Sequence, residues 1–122
     1  MTDSLRERLE VLMITDTQQM TDDSALDVRP DPDLQDLIPA FLENRRHELT
    51  EILKAAAQRD YGLIGRMAHT WKGICRPYGF IHLESLSRQL EKAGEAHDQA
   101  DVDQVLARIR DHLDKVRIIY TT

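Results

Sequence analysis

Apolar side chains recurring every three or four residues, through almost the whole of residues 31–120, restrict this chain more than any other feature. One set runs Leu34, Ile38, Phe41, Leu42, Leu49, Ile52, Leu53 and Ala56, and a second runs Ile64, Met67, Trp71, Ile74, Cys75 and Tyr78. A third comprises Leu83, Leu86, Leu90 and Ala93, with His97 on the same face, and a fourth runs Val102, Val105, Leu106, Ile109, Leu113, Val116 and Tyr120. This is the period of an amphipathic helix, and the strict alternation of a half-buried strand is hard to find. Four such stretches with short connections must pack as antiparallel neighbours. The expected fold is all-α, an antiparallel up-and-down four-helix bundle. At 122 residues the chain is long enough for one core that buries roughly two-thirds of the unfolded surface.

Local signals set the boundaries. Pro32 fits the first turn of a helix that begins near Asp31, and Pro39 predicts a short turn followed by a kink or restart. Asp60 is placed to cap a helix from about Leu63 to Tyr78, with Gly79 as the residue just past its end. Pro77 would clash with the carbonyl of Gly73, so the last turn should be bent or loosened. The next helix is expected over about Leu83 to His97, where Gly94 beside Ala93 permits a close crossing. The last is expected over about Val102 to Ile119, with Asp101 and Gln104 resembling a capping box. Before the bundle, Leu5, Leu9, Leu12 and Met13 stand at helical spacing behind Asp3 or Ser4, and a polar stretch then leads to Arg29-Pro30-Asp31-Pro32. A short helix packed on one end of the bundle and a flexible extension both fit this segment. The domain division is thus 1–30 for the extension and 31–122 for the bundle.

Composition removes several function classes. A net charge of −6 with no basic groove-reading stretch argues against nucleic-acid binding. The one cysteine excludes an intrachain disulfide and a zinc-type cysteine pair, and Cys75 sits on an apolar stripe as a small core residue. There is no apolar run near the roughly 20 residues of a membrane span and no signal-peptide pattern, so a soluble cytoplasmic protein is expected. His47, His82, His97 and His112 form no pair at i, i+3 or i+4, and no metal site is expected of them. Arg45, Arg46 and His47 are expected to be solvated, with the face near Arg45 left open as an alternative partner surface. Gly-rich phosphate loops, a nucleophile elbow and kinase signatures are all missing from the sequence.

The second helix carries the chemistry. Projected at 100° per residue, its apolar set lies within about 60° of the side opposite His69, while Gly62, Gly65, Arg66, Lys72, Gly73 and Arg76 lie within about 60° of His69 itself. Glycine costs about 1 kcal/mol relative to alanine inside a helix, so Gly65 and Gly73 make sense where something approaches the backbone closely. An exposed imidazole with space around it and cations alongside suits an anion that meets a nitrogen nucleophile. Between residues 59 and 76, Arg59, Arg66, Lys72 and Arg76 face only Asp60, so this stretch is net positive within an acidic chain. Such a patch steers association toward an acidic partner.

His69-Thr70-Trp71-Lys72-Gly73, then Tyr78-Gly79-Phe80 and Leu83-x-x-Leu86-x-x-x-Leu90-Glu91, resemble the motifs of the histidine-containing phosphotransfer (HPt) domain family. The resemblance runs from about Asp31 to Tyr120. It implies a phosphoryl carrier with no autokinase activity, relaying phosphate between aspartates of response-regulator receiver domains, or from a hybrid sensor kinase. His69 would be the phosphoacceptor, Lys72 would balance phosphate charge, and Gly73 would leave room for the phosphoryl group and the partner. Gly65, Arg66 and Arg76 would meet the partner. The resemblance places Mg²⁺ on the receiver and implies no cofactor in this chain. A monomer is the simplest expectation. Ile74-Cys75-Arg76-Pro77 departs from the small residues that many members carry after the lysine-glycine pair. That departure keeps open an alternative, a helical-bundle docking module that binds a receiver or kinase without phosphotransfer.

Overall fold

The computed structural model describes residues 26–120, and four α-helices make up most of them. They are α1 (Ile38–Ala57), α2 (Tyr61–Cys75), α3 (Ile81–Glu95) and α4 (Gln99–Lys115), joined by tight turns into an antiparallel up-and-down bundle. The expected helix around Leu5 to Met13 lies outside the described residues. Ahead of α1, a 3₁₀ helix (Pro32–Leu37) is capped by Asp31, whose carboxylate accepts from the Asp33 amide at 2.8 Å. Pro39 falls in the first turn of α1, so the chain restarts there as an α-helix without losing an internal hydrogen bond.

The three interhelix turns use one device. Asp60 N bonds Ala55 O at 2.8 Å, Phe80 N bonds Cys75 O at 3.0 Å, and Asp98 N bonds Ala93 O at 3.0 Å. Each closes a helix through a residue at positive φ, namely Arg59 (55°), Gly79 (86°) and His97 (54°). Gly79 also faces a hard neighbour, since a Cβ there would stand 2.8 Å from the Arg29 carbonyl oxygen. After Cys75 the chain tightens into a 3₁₀ turn over Arg76–Tyr78, which is how the strain expected of Pro77 is relieved. Asp60 caps α2 as expected, accepting from Leu63 N at 3.2 Å.

Several boundaries differ from the periodicity. The third helix starts at Ile81 and ends at Glu95, so His97 lies beyond it, exposed, with its ring stacked 4.7 Å from Tyr61. The cap of α4 is Asp98, which accepts from Asp101 N at 3.1 Å, so the helix begins before the expected Asp101 cap. It also stops at Lys115, because Arg117–Ile118 (β2) pairs in parallel with Asp27–Val28 (β1). That pairing brings Val28 into the core at 2 % exposure, so the packed unit extends back past residue 31. Two residues per strand are too few to leave an alternation in the sequence.

Trp71, Phe80, Ile38, Ile52, Ile64, Leu83, Leu90 and Ile109 fill the centre. Arg45 is not solvated as expected. It is buried, with its guanidinium 4.9 Å from the Phe41 ring centre and 5.8 Å from that of Trp71, and it bonds Glu48 at 3.0 Å. Glu48 also accepts from the Trp71 indole at 2.7 Å, so this buried cation meets a carboxylate and two ring faces. At the closest crossing, a Cβ on Gly94 would lie 3.4 Å from Ile64 Cγ2 and 3.5 Å from Tyr61 O. This contact holds α3 against the helix that carries His69.

Candidate functional site

Burial of Ile64, Ala68, Trp71 and Cys75 fixes the rotation of α2 and turns His69 outward. Its side chain is 68 % exposed. Because α2 and α3 run antiparallel at close quarters, Glu91 of α3 meets two residues from successive turns of α2. His69 Nδ1 lies 2.9 Å from Glu91 Oε2, and Lys72 Nζ donates to Glu91 Oε1 at 2.8 Å. Lys72 first, and His69 second, hold the Glu91 carboxyl below its ordinary range. An ionised carboxylate only accepts hydrogen bonds. The neutral imidazole must then carry its proton on Nδ1, which leaves the Nε2 lone pair available.

The space around His69 is open. A Cβ on Gly65 or on Gly73 would find no neighbouring heavy atom within 4 Å. Neither glycine is required for packing within the described residues. Gly65, Arg66, Thr70 and Glu91 line, with His69, an open groove of about 580 Å³ that reaches Tyr61 and His97. Arg76 goes elsewhere. It grips Glu84 through Nη2 at 2.8 Å and Nε at 3.3 Å, and Arg88 bonds the same carboxylate at 3.1 Å. The Arg76 hydrogen bond is the main reason that Glu84 titrates below its usual range. Thus His69, Lys72, Gly65 and Arg66 share one surface with Gly73 a turn along it, while Arg76 is held toward the start of α3, still 65 % exposed.

Other reactive side chains are accounted for. Cys75 is fully buried and its thiol is pushed up to about 12, chiefly by burial, so it behaves as a core residue. The rings of His82 and His112 stand 5.1 Å apart, a pairing across α3 and α4 that helical spacing alone does not reveal. His112 is buried without a hydrogen-bond partner for either ring nitrogen. Among the described residues no three or more metal-type side chains come together. None of their helices is long and apolar enough to cross a membrane.

Glu91 is the residue whose part the sequence leaves unread. It ends the Leu83-x-x-Leu86-x-x-x-Leu90-Glu91 spacing, yet its bond to both His69 and Lys72 requires the register of α3 against α2. The available signal is an acidic residue next to the apolar stripe of the helix that follows a histidine and a lysine at i, i+3.

An all-α bundle that presents one exposed, carboxylate-anchored histidine between cations and open glycines has the form of a protein that carries a group rather than one that encloses a substrate. A family model of the Hpt domain matches residues 36–118, and the chain belongs to that family. No curated protein and no solved structure matches the chain individually. Hpt domains serve phosphorelays as phosphocarrier modules rather than as catalysts, and they interact with response-regulator or kinase proteins.

Proposed function

We propose that this chain relays phosphoryl groups between receiver domains through phosphohistidine at His69. The observation that carries this is the 2.9 Å contact of His69 Nδ1 with the Glu91 carboxylate on a ring that is 68 % exposed. Nε2 attacks the phosphorus of a receiver aspartyl phosphate, the bond from phosphorus to the aspartate oxygen breaks, and the aspartate leaves as carboxylate. Attack by the aspartate of a second receiver then regenerates the neutral ring. Transfer of this kind depends on in-line positioning and charge neutralisation more than on protein-derived acid–base groups. Lys72 balances charge on the incoming phosphate, and Gly73 leaves room for it and for the partner's loops. Gly65 and Arg66 meet the partner in the groove beside His69, while Arg76, paired with Glu84 near the start of α3, offers a further partner contact beyond it. The Mg²⁺ that neutralises the phosphoryl oxygens belongs, in this scheme, to the receiver.

The test is phosphate uptake from a receiver charged with labelled acetyl phosphate, comparing the protein with its His69→Gln variant. Label confined to the unsubstituted protein, lost in acid and stable in alkali as a phosphoramidate is, supports the relay. Receivers that bind the protein but leave it unlabelled would instead make it a docking module.

A further inference from the structure

The seam between α2 and α3 carries two stations built alike. At the first, Glu91 accepts from Lys72 and faces Nδ1 of His69. At the second, Glu84 accepts from Arg76 through Nη2 and Nε, and from Arg88 through Nη2. Glu84 and Glu91 both belong to α3 and stand two helical turns apart. Their side chains therefore leave the helix within about 20° of one another and about 10 Å apart along its axis. Arg88 stands between them on the same stripe, one turn from each.

The second station is unbalanced in charge. The Glu84 side chain is 7 % exposed beneath its partners, whereas those of Arg76 and Arg88 are 65 % and 58 % exposed. Arg76 alone already reaches both Glu84 oxygens, so Arg88 adds a cation beyond what neutralises the carboxylate. Two exposed guanidiniums thus roof one buried carboxylate, and the station presents net positive charge outward. Each guanidinium is a planar fork of N–H donors suited to a carboxylate. An interface of ordinary size takes about 800 Å² of each partner, a patch roughly 30 Å across. Centred on His69, such a patch covers this station as well. Charge covered by a partner costs free energy unless an opposite charge meets it.

We propose that Arg76 and Arg88, held over Glu84, form a clamp for a carboxylate side chain on the surface of the docked receiver, and that this clamp selects which receivers exchange phosphate with His69. Given the relay through His69 on which this rests, Arg88 is the discriminating residue, because it supplies the cation that Glu84 leaves unbalanced. A receiver with an acidic side chain at this place gains charge-assisted hydrogen bonds to a preformed pair of forks. A receiver with lysine or arginine there meets like charge at close range and is rejected. Selection is thus separated from chemistry by about two helical turns of one seam.

The test uses the full chain and the receiver that labels it fastest in the uptake assay, with phosphoramidate as a small donor that needs no docking surface. Arg88→Gln should raise the KM for the phosphorylated receiver about fivefold, and Arg88→Glu more than about tenfold, with kcat changed less than about twofold. The salt dependence of transfer should flatten in Arg88→Gln. Labelling of His69 by phosphoramidate should proceed alike in the parent and both variants. Equal KM values in the three proteins overturn the clamp. So does a loss that appears equally with phosphoramidate, because Arg88 would then support His69 rather than the partner. Label from no receiver at all is the separate failure of the relay, and the clamp falls with it.

Discussion

His69 and His112 carry the same imidazole in opposite settings. His69 stands on the outer face of α2 with one nitrogen on an ionised carboxylate. His112 lies inside the bundle on α4, 2 % exposed, with neither nitrogen bonded and the His82 ring 5.1 Å away. Burial first, and the neighbouring His82 second, push its pKa from 6.5 down to about 4. The pair shows that histidine's use follows from what its two nitrogens meet. One anchored nitrogen on an exposed ring leaves a directed nucleophile, whereas two buried and unpaired nitrogens leave a neutral filler that resists protonation.

Substitution separates the two most sharply. His69→Gln should abolish phosphate uptake from a charged receiver while leaving thermal unfolding nearly unchanged, because an exposed side chain contributes little to the core. His112→Leu should retain uptake in protein that has folded. Labelling both variants beside the parent checks this, and uptake by His69→Gln at the parental rate would remove His69 as acceptor.

Acid should expose the buried ring next. The folded-state pKa of His112 lies below its ordinary value, so unfolding takes up a proton as pH falls. The associated stability is fully present above about pH 6.5 and is lost as pH falls toward about 4. The loss reaches on the order of 3 kcal/mol at the acid end of that window. Carboxylates add their own acid loss in any variant, so the readout is the difference between the protein and His112→Leu across this window in urea unfolding. Parallel pH curves for the two would mean that His112 is protonated as easily in the bundle as in the unfolded chain.

Smaller effects should follow around His69. Lys72→Ala removes a cation without disturbing the core and should slow transfer about tenfold, the worth of one charge-assisted hydrogen bond. It should also flatten the salt dependence of the rate. Glu91→Gln should slow transfer by a similar factor, because the amide no longer fixes the proton on Nδ1. Since both residues act through the same contact, the double variant should lose less than the product of the two losses, which stopped-flow rates can measure.

The contrast between the two histidines also divides what the sequence discloses from what it conceals. The outward direction of His69 follows from the helical projection alone, as do the α2 cap at Asp60, the left-handed Gly79 and the loosened turn at Pro77, since all are properties of one segment. Contacts between segments were not readable in this way. Glu91 reaching His69 and Lys72, Arg45 lying between Phe41 and Trp71, and His82 meeting His112 each depend on how two helices are set against one another. Arg45 breaks an apolar face in the sequence exactly as a solvated residue would, and only the placement of Glu48 and Trp71 reveals it as buried. The β1–β2 pairing is the extreme case, because it joins residues 90 positions apart through two residues on each side.

The glycines beside His69 offer the finest test of how far the exposed face is shaped for a partner. No neighbour lies within 4 Å of a Cβ placed on Gly65 or Gly73, and both positions are inside a helix. Alanine there should then stabilise the isolated protein by about 0.5–1 kcal/mol per site through helix propensity alone, a rise of several degrees in Tm. If the open space serves an incoming receiver, the same substitutions must slow phosphotransfer, with Gly73→Ala affected more than Gly65→Ala because of its place beside Lys72. A more stable protein that transfers more slowly would locate the reason for the glycines in the complex. A more stable protein with unchanged transfer would show that the partner does not approach the backbone at that turn, and would leave the face's contribution to its side chains, His69, Lys72, Glu91 and Arg66 among them.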